Sequence, residues 1–172
     1  MVPPGEADGE AAGTSGASHL QCQPCPACGA RLGGRAGCQA AFDELSASAW
    51  SSPVRGAVHN LVVDAYAMQH PEEYGRSAKS YAAHLCGLCC GIEHAGDRKL
   101  YWSIARWLDG RREIAKPPLL RVRGEKTIAD VAAIGVDEAF AEAVRAWARS
   151  VWNAYFSQHP LAHEWLAAVS RE

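Results

Sequence analysis

Residues 58–71 read VHNLVVDAYAMQHP. Val58, Leu61, Val62, Ala65, Tyr66 and Gln69 recur at three- and four-residue intervals, which gathers their side chains on one face of an α-helix to be buried. Upstream, Ser52 suits the helix cap and Pro53 the first helical position, where its missing N–H costs nothing. Pro71 closes the helix, with His70 in its last turn.

Working outward, each neighbouring stretch also carries the helical period. Ala41, Phe42, Leu45 and Ala49 form a stripe from Cys38 to about Trp50. In residues 75–93, Tyr81, Leu85, Leu88 and Ile92 face inward with His84 beside them, while Ala83, Gly87 and Gly91 make a small-residue stripe that invites close helix contact. Residues 97–109 present Leu100, Ile104, Trp107 and Leu108. Thr127-Ile-Ala-Asp130 has capping-box spacing for a short helix ending before Gly135. A long helix is expected from Asp137, its cap, to about Gln158, with Phe140, Val144, Trp147, Val151, Ala154 and Tyr155 inward. A last helix, 161–169, offers Leu161, Trp165 and Ala168, with His163 exposed. Pro117-Pro118 forces LLRVR into an extended, strand-like stretch. The sum is an all-α fold: a compact bundle of about six to seven helices with an N-terminal zinc-knuckle-like segment.

At 172 residues and a net charge of −2, with 48% apolar residues, the chain fits a single core-bearing domain. Residues 1–20 are Gly, Ala, Pro, Ser and acid without periodicity and are expected to be a disordered tail; 21–172 form the single helical domain, with the knuckle at 22–38. His19, at the end of that tail, is assigned no role. No apolar run reaches the roughly 20 residues a membrane span needs. The N-terminus lacks the basic and apolar parts of a secretory signal, and seven cysteines, an odd number, suit reduced thiols. A cytoplasmic location is expected.

Cys25-Pro26-Ala27-Cys28-Gly29 has the form of a metal knuckle: two thiolates three apart on a tight turn can clasp one ion. Cys38 follows a Gly-rich loop. A redox pair is the rival, but no βαβ setting surrounds it; free surface thiols are the plain alternative. The fourth ligand can be argued from helix register. Two helices joined by a short turn lie antiparallel, so Cys38 stands level with about residue 65 and His70 lies within reach, whereas His59 falls roughly 16 Å further along. His70 is favoured, with Cys22 the main rival and His59 behind it. Otherwise His70 is a helix-end cation facing the dipole, and His59 a hydrogen-bonded core histidine. Three sulfurs and an imidazole suit a structural Zn²⁺; iron also suits such a shell. Cys86, Cys89 and Cys90 read as small packed hydrophobes.

A second reading is a metal-dependent enzyme with a His-lined pocket inside the bundle, built from His59, Asp64, Tyr66 and His84. A third is a nucleic-acid-binding regulator using the Arg- and Lys-rich segment 98–126, although the global charge gives no reason to expect nucleic acid as a partner, and a solvated helix face and loop is the default. The chain carries no Gly-x-Ser-x-Gly elbow, no phosphate loop, no His-Glu-x-x-His and no dinucleotide fingerprint. AYAMQHP at 65–71 is echoed by AYFSQHP at 154–160, which helix-ending chemistry explains without a duplication.

Taken together, CPACG, GCQAAF, VHNLVVDAYAMQHP, SYAAHL, PPLLRVRGEKTIADV and VRAWARSVWNAYFSQHP resemble a family of uncharacterised bacterial proteins, a domain of unknown function common in actinobacteria, with CPxCG, GC, VHxLxVDAYxxQHP and WAxSVW in this order. The likeness covers about residues 22–166. It implies architecture and little chemistry. Many members carry a His in a longer loop between the knuckle and the third Cys; here that loop is ARLGGRAG, leaving His70 or Cys22 to complete the shell. The expected role is binding or regulation around a Cys3His-like structural zinc.

Overall fold

The computed structural model describes residues 23–111 and 113–171. The expected tail at 1–20, His19 and Cys22 lie outside the described residues.

Among the described residues there are eight α-helices and no strand. In chain order they are α1 (Gly34–Ser48), α2 (Pro53–Gln69), α3 (Pro71–Tyr74), α4 (Ala78–Glu93), α5 (Arg98–Asp109), α6 (Ala129–Ala132), α7 (Asp137–Ala154) and α8 (His159–Val169), with a 3₁₀ turn at Phe156–Gln158 before the last. The fold is all-α, as the periodicity implies.

Helix α2 is the centre. It packs most extensively on α7 and α4, and also on α1. Val58, Leu61, Val62, Ala65, Tyr66 and Gln69 are all buried. Its start is the expected one: the Ser52 hydroxyl accepts from the Arg55 N–H at 3.2 Å and Pro53 follows. The α2–α4 contact is close because α4 turns glycines toward it. A Cβ at Gly87 would run into the Asp64 carboxylate and one at Gly91 into Leu61.

Several boundaries differ from expectation, each for a physical reason. Helix α1 begins at Gly34, so Cys38 already lies inside it. Gly37, read as loop, is helical, and it must be glycine because a Cβ there would collide with the Leu32 carbonyl. Helix α4 begins at Ala78, where Ser77 accepts from the Ser80 N–H at 3.0 Å. Asp137 does not cap α7. Val136 holds the cap position, and Asp137 instead takes the Arg55 Nε–H at 2.7 Å, tying α7 to the start of α2. Helix α7 stops at Ala154, and Pro160 does not end a helix but sits in the first turn of α8. The stripe of α8 is rotated by one residue: Ala162, Trp165, Leu166 and Val169 are buried.

The LLRVR stretch forms no strand; at its end and on either side of it the backbone bonds to side chains of the bundle. Gln69 Nε2 donates to the carbonyls of Arg123 and Lys126 at 2.9 and 2.8 Å. The Ser150 hydroxyl accepts from the N–H groups of Glu125 and Lys126. Gln158 Nε2 donates to the Pro118 carbonyl at 3.1 Å. The capping box is formed: Asp130 Oδ2 accepts the Thr127 N–H at 2.8 Å. No helix of the described residues is long and apolar enough to cross a membrane.

Candidate metal centre

The knuckle is a tight reversal built by the backbone. Cys25 N–H donates to the Ala30 carbonyl and Gly29 N–H to the Cys25 carbonyl, both at 2.8 Å, flanked by a bridge between Pro24 and Arg31. Gly29 takes φ +81°, a left-handed conformation that favours glycine. A left-handed pair, Gly33 and Gly34, then starts α1, and Gly34 N–H is tied to the Gln23 carbonyl at 2.8 Å. This clamp lays the knuckle against α1, one turn before Cys38.

The fourth group comes from the end of α2. Cys25 Sγ lies 3.5 Å from His70 Nε2, Cys38 Sγ lies 3.6 Å from the same nitrogen, and Cys28 Sγ lies 3.6 Å from Cys38 Sγ. The four donor atoms all lie within 4.8 Å of one another, and all four residues are buried. A tetrahedral zinc with bonds of about 2.3 Å to sulfur and about 2.0 Å to nitrogen has donor–donor edges of about 3.5–3.8 Å. The closest pairs already stand at that spacing.

The imidazole is oriented for ligation. His70 Nδ1 donates to the Tyr66 carbonyl at 2.7 Å, one helical turn back, which leaves the Nε2 lone pair facing the sulfurs. Around it, the Tyr66 ring stacks on Phe42 with centroids 4.0 Å apart and meets the His70 ring at 4.1 Å. Arg35 donates to the Tyr66 hydroxyl, to Gln39 and to Glu73. The hydroxyls of Tyr66 and Tyr74 both donate to Gln39 Oε1, at 3.2 and 2.9 Å.

The hydrogen bond with Cys38, together with burial, pushes the Cys28 thiol up to about 12, while the same bond draws Cys38 down. A divalent cation reverses that balance by replacing the protons.

A family model described as a family of unknown function, DUF5946, matches residues 23–161. The chain belongs to the DUF5946 family. No curated protein and no solved structure matches it. The DUF5946 match spans the knuckle, Cys38 and the His70 turn together, so the four donors lie within the segment that defines membership.

The second set of expected residues is not brought together. Asp64 and His84 do meet, with Oδ1 and Nδ1 2.9 Å apart. Burial raises the Asp64 carboxyl, opposed by the His84 hydrogen bond. Tyr66 is elsewhere: two residues from Asp64 is about 200° around a helix, which turns it toward the Cys25–Cys28–Cys38–His70 cluster. His59 is half-buried, with an Nδ1 that has no hydrogen-bond partner among the described residues, so it is not the satisfied core histidine expected. Neither His59 nor His84 lines any of the cavities described below.

The basic segment 98–126 also divides. Arg121 and Arg123 line a cavity of about 450 Å³ at the knuckle, beside His70, Glu72 and Glu73. Arg98 instead faces a cleft of about 1040 Å³ with Trp102, Arg145 and Arg149. These do not make one continuous basic track. Cys86, Cys89 and Cys90 are fully buried, and burial pushes Cys89 and Cys90 up to about 12.

Sequence reasoning missed Arg35 and Gln39. They sit four residues apart on the first turns of α1, and the signal for them was hidden because the glycines conceal that helical start.

Proposed function

We propose that Cys25, Cys28, Cys38 and His70 hold a structural Zn²⁺ that pins the N-terminal knuckle to the bundle, and that the protein acts by binding or regulation in a reducing cytoplasm. The observation that carries this reading is the convergence of four buried donors at near-tetrahedral spacing, with the His70 tautomer fixed by Tyr66. All four positions are filled by protein, so the ion has no open site for substrate, as in structural rather than catalytic zinc. The thiolates require reducing conditions, which is the argument for the compartment.

Elemental analysis of purified protein tests this. Zinc at the knuckle in the native chain and its loss in Cys28→Ser is the expected result. Equal zinc at the knuckle in both, or none in the native chain expressed with zinc, overturns it. His70→Cys should retain zinc where His70→Ala does not, since a fourth thiolate also closes a tetrahedral shell.

A further inference from the structure

A second donor cluster lies at the C-terminal end of α4, among different helices. Cys89 and Glu93 stand four residues apart on one face of α4, and His163 reaches them from α8. Glu93 Oε2 lies 3.7 Å from Cys89 Sγ and 2.8 Å from His163 Nε2, and the three donor atoms all lie within 4.8 Å of one another.

We propose that Cys89, Glu93 and His163 bind a second divalent cation, of the zinc class, and that this site, unlike the knuckle, keeps an open coordination position.

The donor chemistry sets the class. One sulfur, one imidazole and one carboxylate suit a borderline cation such as Zn²⁺ or Co²⁺; Mg²⁺ and Ca²⁺ want oxygen shells. The carboxylate is also held in place, as metal-binding carboxylates are. Trp152 Nε1 donates to Glu93 Oε1 at 3.0 Å, leaving Oε2 for the cluster. The indole is in turn fixed by His159, whose ring stacks on it at 3.7 Å and whose Nε2 donates to the Trp152 carbonyl at 2.9 Å.

Burial is graded in the way an open site needs. Cys89 is fully buried at the base, while the side chains of Glu93 and His163 are 37% and 49% exposed. They line a cavity of about 640 Å³ that also contains His94 and Asp97. Two of the three donors, Glu93 and His163, face this cavity, so an ion held between them and the buried Cys89 keeps its fourth position toward water, the arrangement of catalytic rather than structural zinc. On loading, the Cys89 thiol proton and the proton shared between His163 Nε2 and Glu93 Oε2 both leave to solvent, with His163 keeping a proton on Nδ1, and the Glu93–His163 contact opens by about half an ångström to admit the ion between them.

The competing explanation is an ordinary surface ion pair beside a packed thiol, and metal stoichiometry separates the two. Full-length protein is loaded with Zn²⁺ or Co²⁺, desalted and measured by elemental analysis and visible absorption, for the native chain, His163→Gln, Cys89→Ala and Cys28→Ser. Roughly two equivalents in the native chain, falling to about one in both His163→Gln and Cys89→Ala with the helical circular dichroism intact, is the expected result. The Co²⁺ form of Cys89→Ala should lose part of the thiolate charge-transfer band, and His163→Gln should shift it. His163 is exposed, so its variant reads the site even if Cys89→Ala fails to fold. A single equivalent in the native chain that both variants retain, or a second one that survives both, overturns the proposal. Loss on Cys28→Ser alone would support the knuckle and sink this site; loss on His163→Gln and Cys89→Ala alone would do the reverse.

Discussion

Trp147 Nε1 donates to Gln69 Oε1 across 3.0 Å in the middle of the bundle, joining α7 to the residue before His70. The other end of the same amide is divided between the Arg123 and Lys126 carbonyls. One fully buried side chain therefore holds α2, α7 and the extended loop in register and fixes the backbone that presents the His70 imidazole.

Gln69→Leu keeps the volume and removes all three bonds. The orphaned indole N–H and the two carbonyls, each costing about 1–3 kcal/mol when left buried, should lower stability by roughly 3 kcal/mol or more. Trp147→Phe leaves only the amide oxygen unpaired on the polar side, although it also trims the core, so it tests packing more than bonding. Urea denaturation with metal bound should show a lower midpoint for Gln69→Leu at unchanged slope. A midpoint within experimental error of the native one would show that the three bonds contribute nothing net.

Gly87→Ala should be among the most damaging single-methyl changes in the chain. The new Cβ would meet the Asp64 carboxylate, which is itself paired with His84 in the α2–α4 interface. Helix separation or loss of that pair should cost about 1–3 kcal/mol. Gly96→Ala is the control: it carries φ +70° but has open space around it, so only the conformational cost of about 1 kcal/mol applies. Thermal melts of the two variants side by side decide whether space or backbone angle governs these glycines.

How much of this was legible follows from which forces act locally. The face of α2 could be read residue by residue, because burial on one side imposes the period directly. The approach of His70 to Cys38 could be read too, since an antiparallel pair with a short turn leaves little freedom in register. The start of α1 could not. Gly33, Gly34 and Gly37 disfavour a helix on propensity, and only the Leu32 carbonyl pressing on Gly37 explains why glycine is there. The grouping of Tyr66 with Asp64 and His84 differs from the structure for a related reason: the burial of Tyr66 is evident from the period, but its neighbours are Phe42 and Arg35, which belong to that concealed helix. His159 and Pro160 misled in the opposite way, since the residues that end α2 at His70 open α8 here.

Removing the metal should divide the cysteines into two classes. If the proposed ion closes the knuckle, chelation should free Cys25, Cys28 and Cys38 for alkylation by iodoacetamide at pH 8. Cys86 and Cys90 should stay protected, because both are fully buried and burial pushes their thiols up, Cys90 to about 12. At pH 8 a thiol of that strength is thiolate only about one part in ten thousand of the time, and the thiolate is the reactive form. Peptide mass mapping reads the pattern. Labelling of Cys86 or Cys90 at the same rate as Cys25 would mean that chelation unfolds the whole bundle rather than residues 23–38 and their contacts.

Arg35 is expected to control how long the metal stays. Its guanidinium spans from Glu73 to the Tyr66 hydroxyl and on to Gln39 Oε1, so it braces the ring that packs on His70 without touching a ligand itself. The side chain is 31% exposed, so its charge contributes little to global stability. Its effect should fall on the orientation of the second sphere, where comparable losses weaken metal affinity about 10–100-fold. Arg35→Met preserves the packed stem and removes the bonds to all three partners. It should leave stoichiometry unchanged while speeding zinc transfer to a chromogenic chelator by about tenfold, with a melting temperature close to the native value. Unchanged transfer kinetics in Arg35→Met would place the control of release in the knuckle turn, and Gly29→Ala, which strains the left-handed residue beside Cys28, would then be the variant that accelerates it.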